Sequence, residues 1–124
     1  MPEPKIIREK RILVVEDEPT VRDSLAMLLS VDDHHVTEAS NGAEALTLFT
    51  NRDFDVVMTD FEMPIMKGNE LAVRIKRLKP QQPIIMVTAF AEKITSENPV
   101  DVIINKPFRL EDLRQAISSV FPCS

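Results

Sequence analysis

The chain has 124 residues and a single cysteine, enough for one domain with one core and no internal disulfide. Hydrophobic residues make up 44% and charged residues 28%, globular values that argue against a disordered chain. The net charge of -5, the lack of a long apolar run and the start Met1-Pro2-Glu3-Pro4-Lys5 argue against a nucleic-acid surface, a transmembrane helix and a signal peptide, so a cytoplasmic protein is expected.

Residues 1–10 carry two prolines and five charges and read as a mobile leader. Arg11-Ile12-Leu13-Val14-Val15 is a near-continuous apolar run, the pattern of a buried parallel strand. It ends in Glu16-Asp17-Glu18, and Pro19 then opens a helix, where its missing N–H costs nothing. Val21, Leu25, Leu28 and Leu29 form one apolar face of that helix. His35 to Ala39 alternates as a second strand. Asn41 and Glu44 form a candidate capping box for a second helix with Ala45, Leu46 and Phe49 on its apolar side.

The third strand starts at Asp55 and stops at a carboxylate, Asp60. A loop punctuated by Pro64 and Gly68 leads into a third helix with Leu71, Ile75 and Leu78 on one face. A fourth strand over Pro83 to Val87 ends in Thr88-Ala89. Phe90 to Asn98 has one lone aliphatic, Ile94, so its propensity supports at most two helical turns. Val100 to Ile104 reads as a fifth strand, running into Asn105-Lys106-Pro107-Phe108. Leu110, Leu113, Ile117 and Val120 mark a last helix that stops before Pro122. Residues 11–121 therefore form one domain, and residues 122–124 a tail whose Cys123 reads as an incidental exposed thiol.

Five strands alternating with helices imply a doubly wound α/β parallel sheet covered on both faces. The flavodoxin-like order 2-1-3-4-5 is the common five-stranded solution. In that order Glu16, Asp17 and Asp60 converge at the switch point between the first and third strands, where such folds bind ligands. Thr88 and Lys106 fall at the same edge. Taken singly, each of these residues is better explained as a turn cap, a helix-dipole partner or a solvated side chain. Taken together they point to chemistry. Crowded carboxylates repel unless a cation joins them, and an oxygen-rich site suits Mg²⁺, with Mn²⁺ a related ion. A carboxylate beside that cation can act as a nucleophile towards phosphorus, with Lys106 and Thr88 serving the other phosphoryl oxygens. The two glycines, Gly42 and Gly68, make no phosphate loop, so the phosphoryl group is expected from a donor other than bound ATP.

With these residues in hand, the sequence resembles the receiver domain of two-component response regulators. The motifs are Ile12-Leu13-Val14-Val15-Glu16-Asp17-Glu18-Pro19, Asp60-Phe61-Glu62-Met63-Pro64-Ile65-Met66-Lys67-Gly68, Thr88-Ala89 and Lys106-Pro107-Phe108. The resemblance implies phosphorylation of Asp60 by a sensor histidine kinase or phosphotransfer protein. It implies Mg²⁺ held by Asp17 and Asp60, by Glu16 through water and by the Glu62 backbone carbonyl. It also implies a cis bond at Lys106-Pro107 and a conformational switch in which Thr88 turns toward the phosphate. The chain departs from the family at the switch aromatic, which is Ile103, and before the fifth strand, where Pro99-Val100-Asp101 stands. The interval from Thr88 to Lys106 is shorter than usual by about one helical turn. Glu62 and Phe90, each two residues beyond a site residue, are candidates for tuning the lifetime of the phosphorylated form, by repelling anionic donors and by shielding an acyl phosphate from water.

The resemblance thus implies a signalling switch that catalyses only its own phosphorylation and dephosphorylation, with an unknown effector and a homodimer as one assembly. Two other functions compete: an inert receiver-like binding module, and an aspartate-nucleophile phosphatase. The second usually needs an Asp-x-Asp and a substrate cap, whereas this chain has Asp60-Phe61-Glu62 and no spare residues. Elsewhere, His34, His35 and the basic edge Lys76, Arg77 and Lys79 read as surface, and Met63 and Met66 as gap fillers.

Overall fold

The computed structural model describes residues 6–94 and 98–121. Its strands are β1 (Arg11–Val15), β2 (His35–Ala39), β3 (Val56–Asp60), β4 (Ile84–Thr88) and β5 (Val102–Asn105). Its helices are α1 (Pro19–Ser30), α2 (Gly42–Asn51), α3 (Gly68–Leu78) and α4 (Leu110–Val120). All strand pairs are parallel, in the expected order β2-β1-β3-β4-β5.

The pleat sorts each strand's side chains between two cores. Leu13, Val15, Val57 and Ile84 meet Phe49 of α2 and Leu71 and Ile75 of α3. Ile12, Val14, Met58 and Ile85 meet Leu25 and Leu29 of α1 and Leu113 and Ile117 of α4. Because both faces are covered, the central strands carry runs of buried apolar residues, Ile12–Val15, Val56–Met58 and Ile84–Val87, rather than apolar residues at every second position. Met63 and Met66 are buried in the α2–α3 core, the filling role expected of them.

Local chemistry sets the element ends. Pro19 is the first residue of α1. At α2, Asn41 Oδ1 accepts from the Glu44 N–H at 2.8 Å. The return bond to the Glu44 carboxylate comes from the Ser40 N–H at 3.1 Å, one residue earlier than the expected box. Strands four and five lie one and two residues later than the apolar pattern suggests. Asp101 accounts for this: its carboxylate accepts from Ile84 N–H and its own N–H bonds Ile84 O, both at 2.8 Å, so β4 begins at Ile84. Asn98 Oδ1 takes the Val100 N–H at 2.9 Å and delays β5 by a local turn.

The fourth crossover carries only a 3₁₀ turn, Ala91–Lys93, among its described residues. Residues 95–97 of the weak helical segment, and Cys123, lie outside the described residues.

Two residues read as surface are not. His34 is buried, and its Nδ1 accepts the Lys10 N–H at 3.0 Å. Lys76 is only one-fifth exposed and bonds Gln82 O at 2.7 Å and Asp101 Oδ2 at 3.0 Å. In both cases a distant segment supplies the partner, which local polarity does not reveal. The described part of the leader is tied to the same edge as His34: Glu9 N–H bonds Asp32 O and His35 N–H bonds Lys10 O.

Candidate functional site

β1 and β3 lie side by side, Val15 paired with Thr59, so their C-terminal ends deliver Glu16, Asp17 and Asp60 to one place. Each offers a carboxylate oxygen within 4.8 Å of the others. Glu16 is almost wholly buried and Asp60 nearly so. Lys106 arrives from the end of β5, where its N–H bonds Thr88 O at 2.9 Å. Its Nζ donates to Glu16 Oε1 at 2.7 Å and stands 3.4 Å from Asp60 Oδ2.

One lysine does not balance three acids. Burial pushes the Glu16 carboxyl up to about 7; the Lys106 hydrogen bond opposes the rise, while the Asp60 charge and Asp17 add to it. Burial works against the charge on Lys106 as well, yet Glu16 and Asp60 together hold its pKa above the usual lysine value. A cation among these oxygens relieves that excess of negative charge. Hard carboxylate donors fit Mg²⁺ or Mn²⁺.

The backbone around Asp60 is tightly built. Asp60 Oδ1 accepts the Phe61 N–H at 2.8 Å. Gly68 N–H returns to Phe61 O at 2.9 Å, closing the loop between β3 and α3. A Cβ on Gly68 would lie 2.0 Å from Asp60 O, so only glycine lets the chain pass here. At the loop's apex Pro64 O accepts the Met66 N–H at 2.8 Å around Ile65, whose φ is 74°. This γ-turn of the rarer hand is strained for any side chain, and a left-handed conformation costs a β-branched residue about 1–3 kcal/mol.

Thr88 is buried, and its Oγ1 accepts the Phe90 N–H at 2.9 Å. The Phe90 ring is 38% exposed, with Lys93 Nζ 4.6 Å from its centroid. Glu62 leans toward Lys67 at 3.9 Å. Ile103, at the expected switch position, is 37% exposed on the edge strand. It lines a groove of about 480 Å³ between β5 and α4. A second groove, about 710 Å³ and mostly apolar, opens beside Lys106 between α1 and the β5–α4 loop. Met27, Leu28, Pro107 and Phe108 line it. The Lys106-Pro107 bond is cis, as the resemblance implied.

Sequence reasoning missed Arg22, whose Nη1 holds the Glu16 carbonyl at 2.9 Å while its Nε bonds Glu38 at 3.1 Å. An arginine one turn into a helix carries no signal of that contact. It also read Gly68 only as punctuation and attached no role to Ile65.

The model of the response regulator receiver domain family matches residues 12–118. The response regulator receiver protein CpdR of Brucella abortus is 36% identical over 115 residues, which cover 90% of this chain and 96% of that protein. The positive alginate biosynthesis regulatory protein of Pseudomonas aeruginosa is 37% identical over 111 residues, covering 86% of this chain and 45% of that protein. The crystal structure of response regulator protein TrrA from Thermotoga maritima in complex with Mg(2+)-BeF matches with a TM-score of 0.85 at 34% identity, over 90% of this chain and 98% of that one. The chain thus spans nearly all of one curated relative and under half of the other.

Proposed function

The chain belongs to the response regulator receiver domain family, and from that premise we propose that Asp60 accepts a phosphoryl group from a sensor histidine kinase or phosphotransfer protein and thereby switches the conformation of a signalling domain. The observation that carries this reading is the Lys106 ammonium held between Glu16 and Asp60 at the switch point of the sheet. Asp17 and Asp60 would hold Mg²⁺ directly, Glu16 through water and Glu62 through its backbone carbonyl. When bound, that ion supplies charge for the phosphoryl oxygens.

This chain's residues do the rest. A carboxylate oxygen of Asp60 attacks phosphorus as the bond from phosphorus to the donor nitrogen breaks, and an acyl phosphate forms. Lys106 offers positive charge beside the entering group. Thr88 offers a hydroxyl, at the cost of its bond to Phe90 N–H if it turns. That bond links Thr88 to the Ala91–Lys93 turn, which supports a switch running through this segment rather than through Ile103. Residues 11–121 serve as the receiver unit, with its effector a separate question.

Mg²⁺-dependent labelling by acetyl phosphate tests the reading, with label expected on the parent chain and none on Asp60→Asn. Sustained turnover of p-nitrophenyl phosphate would support a phosphatase instead. Absence of label from both acetyl phosphate and kinases would support an inert binding module.

A further inference from the structure

Arg22 is a cation in a place that disfavours one. It is the fourth residue of α1, and positive charge near the positive N-terminal end of a helix is destabilising. The first turn holds no acid to offset it. Its side chain is nonetheless drawn in, 18% exposed. Long side chains on a helix lean toward its N-terminus, so Arg22 lies back over the turn that holds Glu16 and Asp17. There its Nη1 donates to Glu16 O at 2.9 Å and its Nε to Glu38 Oε2 at 3.1 Å. An ion pair with the partly exposed Glu38 contributes little by itself. The bond to the carbonyl sets this arginine apart.

Glu16 O belongs to the peptide unit that joins Glu16 to Asp17. That unit is planar, so turning it changes ψ of Glu16 and φ of Asp17 at once and redirects both side chains. Two contacts hold it. Glu16 N–H donates to Ala39 O at 3.1 Å, and Arg22 grips Glu16 O while bonded to Glu38, the neighbour of Ala39. The end of β1 is thus braced twice against the end of β2. Glu16 and Asp17 supply two of the three carboxylates that lie within 4.8 Å of one another, and Asp60 of β3 supplies the third. Mutual repulsion among them works to splay the turn. A guanidinium suits the brace because its planar fork makes two bonds in fixed directions, which a lysine ammonium does not. It contacts Glu16 through the backbone and leaves the carboxylate oxygens to a cation.

Resting on the reading of Glu16, Asp17 and Asp60 as the cation site, we infer that Arg22 is a positioning residue: it locks the Glu16–Asp17 peptide and so holds these two acids in register with Asp60. Arg22 acts through the backbone and takes no part in the attack on phosphorus.

The test is the Mg²⁺ dissociation constant of the full chain, measured by calorimetry at a temperature where circular dichroism shows each variant folded. Arg22→Gln is expected to raise the Kd about tenfold, the usual loss when a group that orients metal ligands is removed. Arg22→Lys keeps the charge without the fork and should raise it about threefold. Glu38→Gln leaves the bond to the carbonyl in place and should stay within about twofold of the parent. Asp32→Asn, which breaks the buried pair with Arg114 at the opposite edge of the sheet, is the control for a merely weakened fold and should also stay within twofold. A parent-like Kd in Arg22→Gln overturns the inference. So does an equal loss in Asp32→Asn, which would reduce the effect to general loosening, or an equal loss in Glu38→Gln, which would assign it to the ion pair. Should Arg22→Gln fail to fold, Arg22→Lys decides, and a parent-like Kd there overturns the inference. No Mg²⁺ binding by the parent overturns it together with the reading of the acids as a cation site, whereas parent binding that the Arg22 variants do not alter leaves that reading standing.

Discussion

The two edges of the sheet treat buried charge in opposite ways. At the N-terminal edge, Asp32 is buried and fully answered by Arg114, which donates two bonds of 2.9 Å to its two oxygens. That pairing holds the Asp32 carboxyl below its usual range, even against burial. At the C-terminal edge, Glu16, Asp17 and Asp60 share one lysine, and Glu16 is driven up to about 7 by burial. A satisfied pair builds the fold, and an unsatisfied cluster is ready to take a cation or a phosphoryl group. The difference teaches where to look for chemistry: in the charges a fold leaves short of partners, rather than in charge as such.

The largest test of this contrast is steric. Gly68→Ala should push the loop off Asp60 O and cost about 3 kcal/mol, measured by urea unfolding. A midpoint like the parent's would contradict the close approach of that backbone. Next in size, Asp32→Asn should destabilise by about 2 kcal/mol, because it leaves the Arg114 guanidinium half-answered beside a buried amide. A neutral outcome would mean that the pair adds nothing to the fold.

His34 gives a smaller, pH-dependent effect at the same edge. Burial lowers its pKa, so the unfolded chain binds the proton more readily. Its contribution is present above the unfolded value of about 6.5 and is lost as pH falls through the lower folded value. The parent should therefore lose stability relative to His34→Asn between about pH 7 and 5, and parallel curves would rule the effect out. Glu16 pulls the other way over part of that range, which is why the difference between variants is the quantity to measure. Asp32, also lowered, should produce a separate descent only below about pH 4. Smallest of all, Asp17→Asn should raise stability by about 1 kcal/mol in metal-free buffer by removing one repelling charge. Destabilisation there would show that the acids at this edge are already balanced.

Much of this was legible in the residues. Apolar runs marked four of the strands and alternation marked the second, while the strand-end acids pointed to the candidate site, because parallel strands and their carboxyl ends carry strong local patterns. The misses share a physical cause. His34 sits beside His35 between acids and looks like surface, and only the Lys10 N–H arriving from another segment makes its burial tolerable. Lys76 is held by Asp101, far along the chain. β5 was placed two residues early because Val100 reads as strand, while Asn98 bends it into a turn. Ile65 was invisible for a different reason: its conformation contradicts its propensity, and no local rule announces an exception.

The central claim is that Asp60 is the nucleophile. Treating the chain with acetyl phosphate and Mg²⁺, then with borohydride, converts an aspartyl phosphate to homoserine, which mass spectrometry of the peptides locates. Homoserine at position 60, absent when Mg²⁺ is chelated, is the expected result. Homoserine at Asp17 or another acid instead, or a phosphoryl group that resists borohydride, would contradict it.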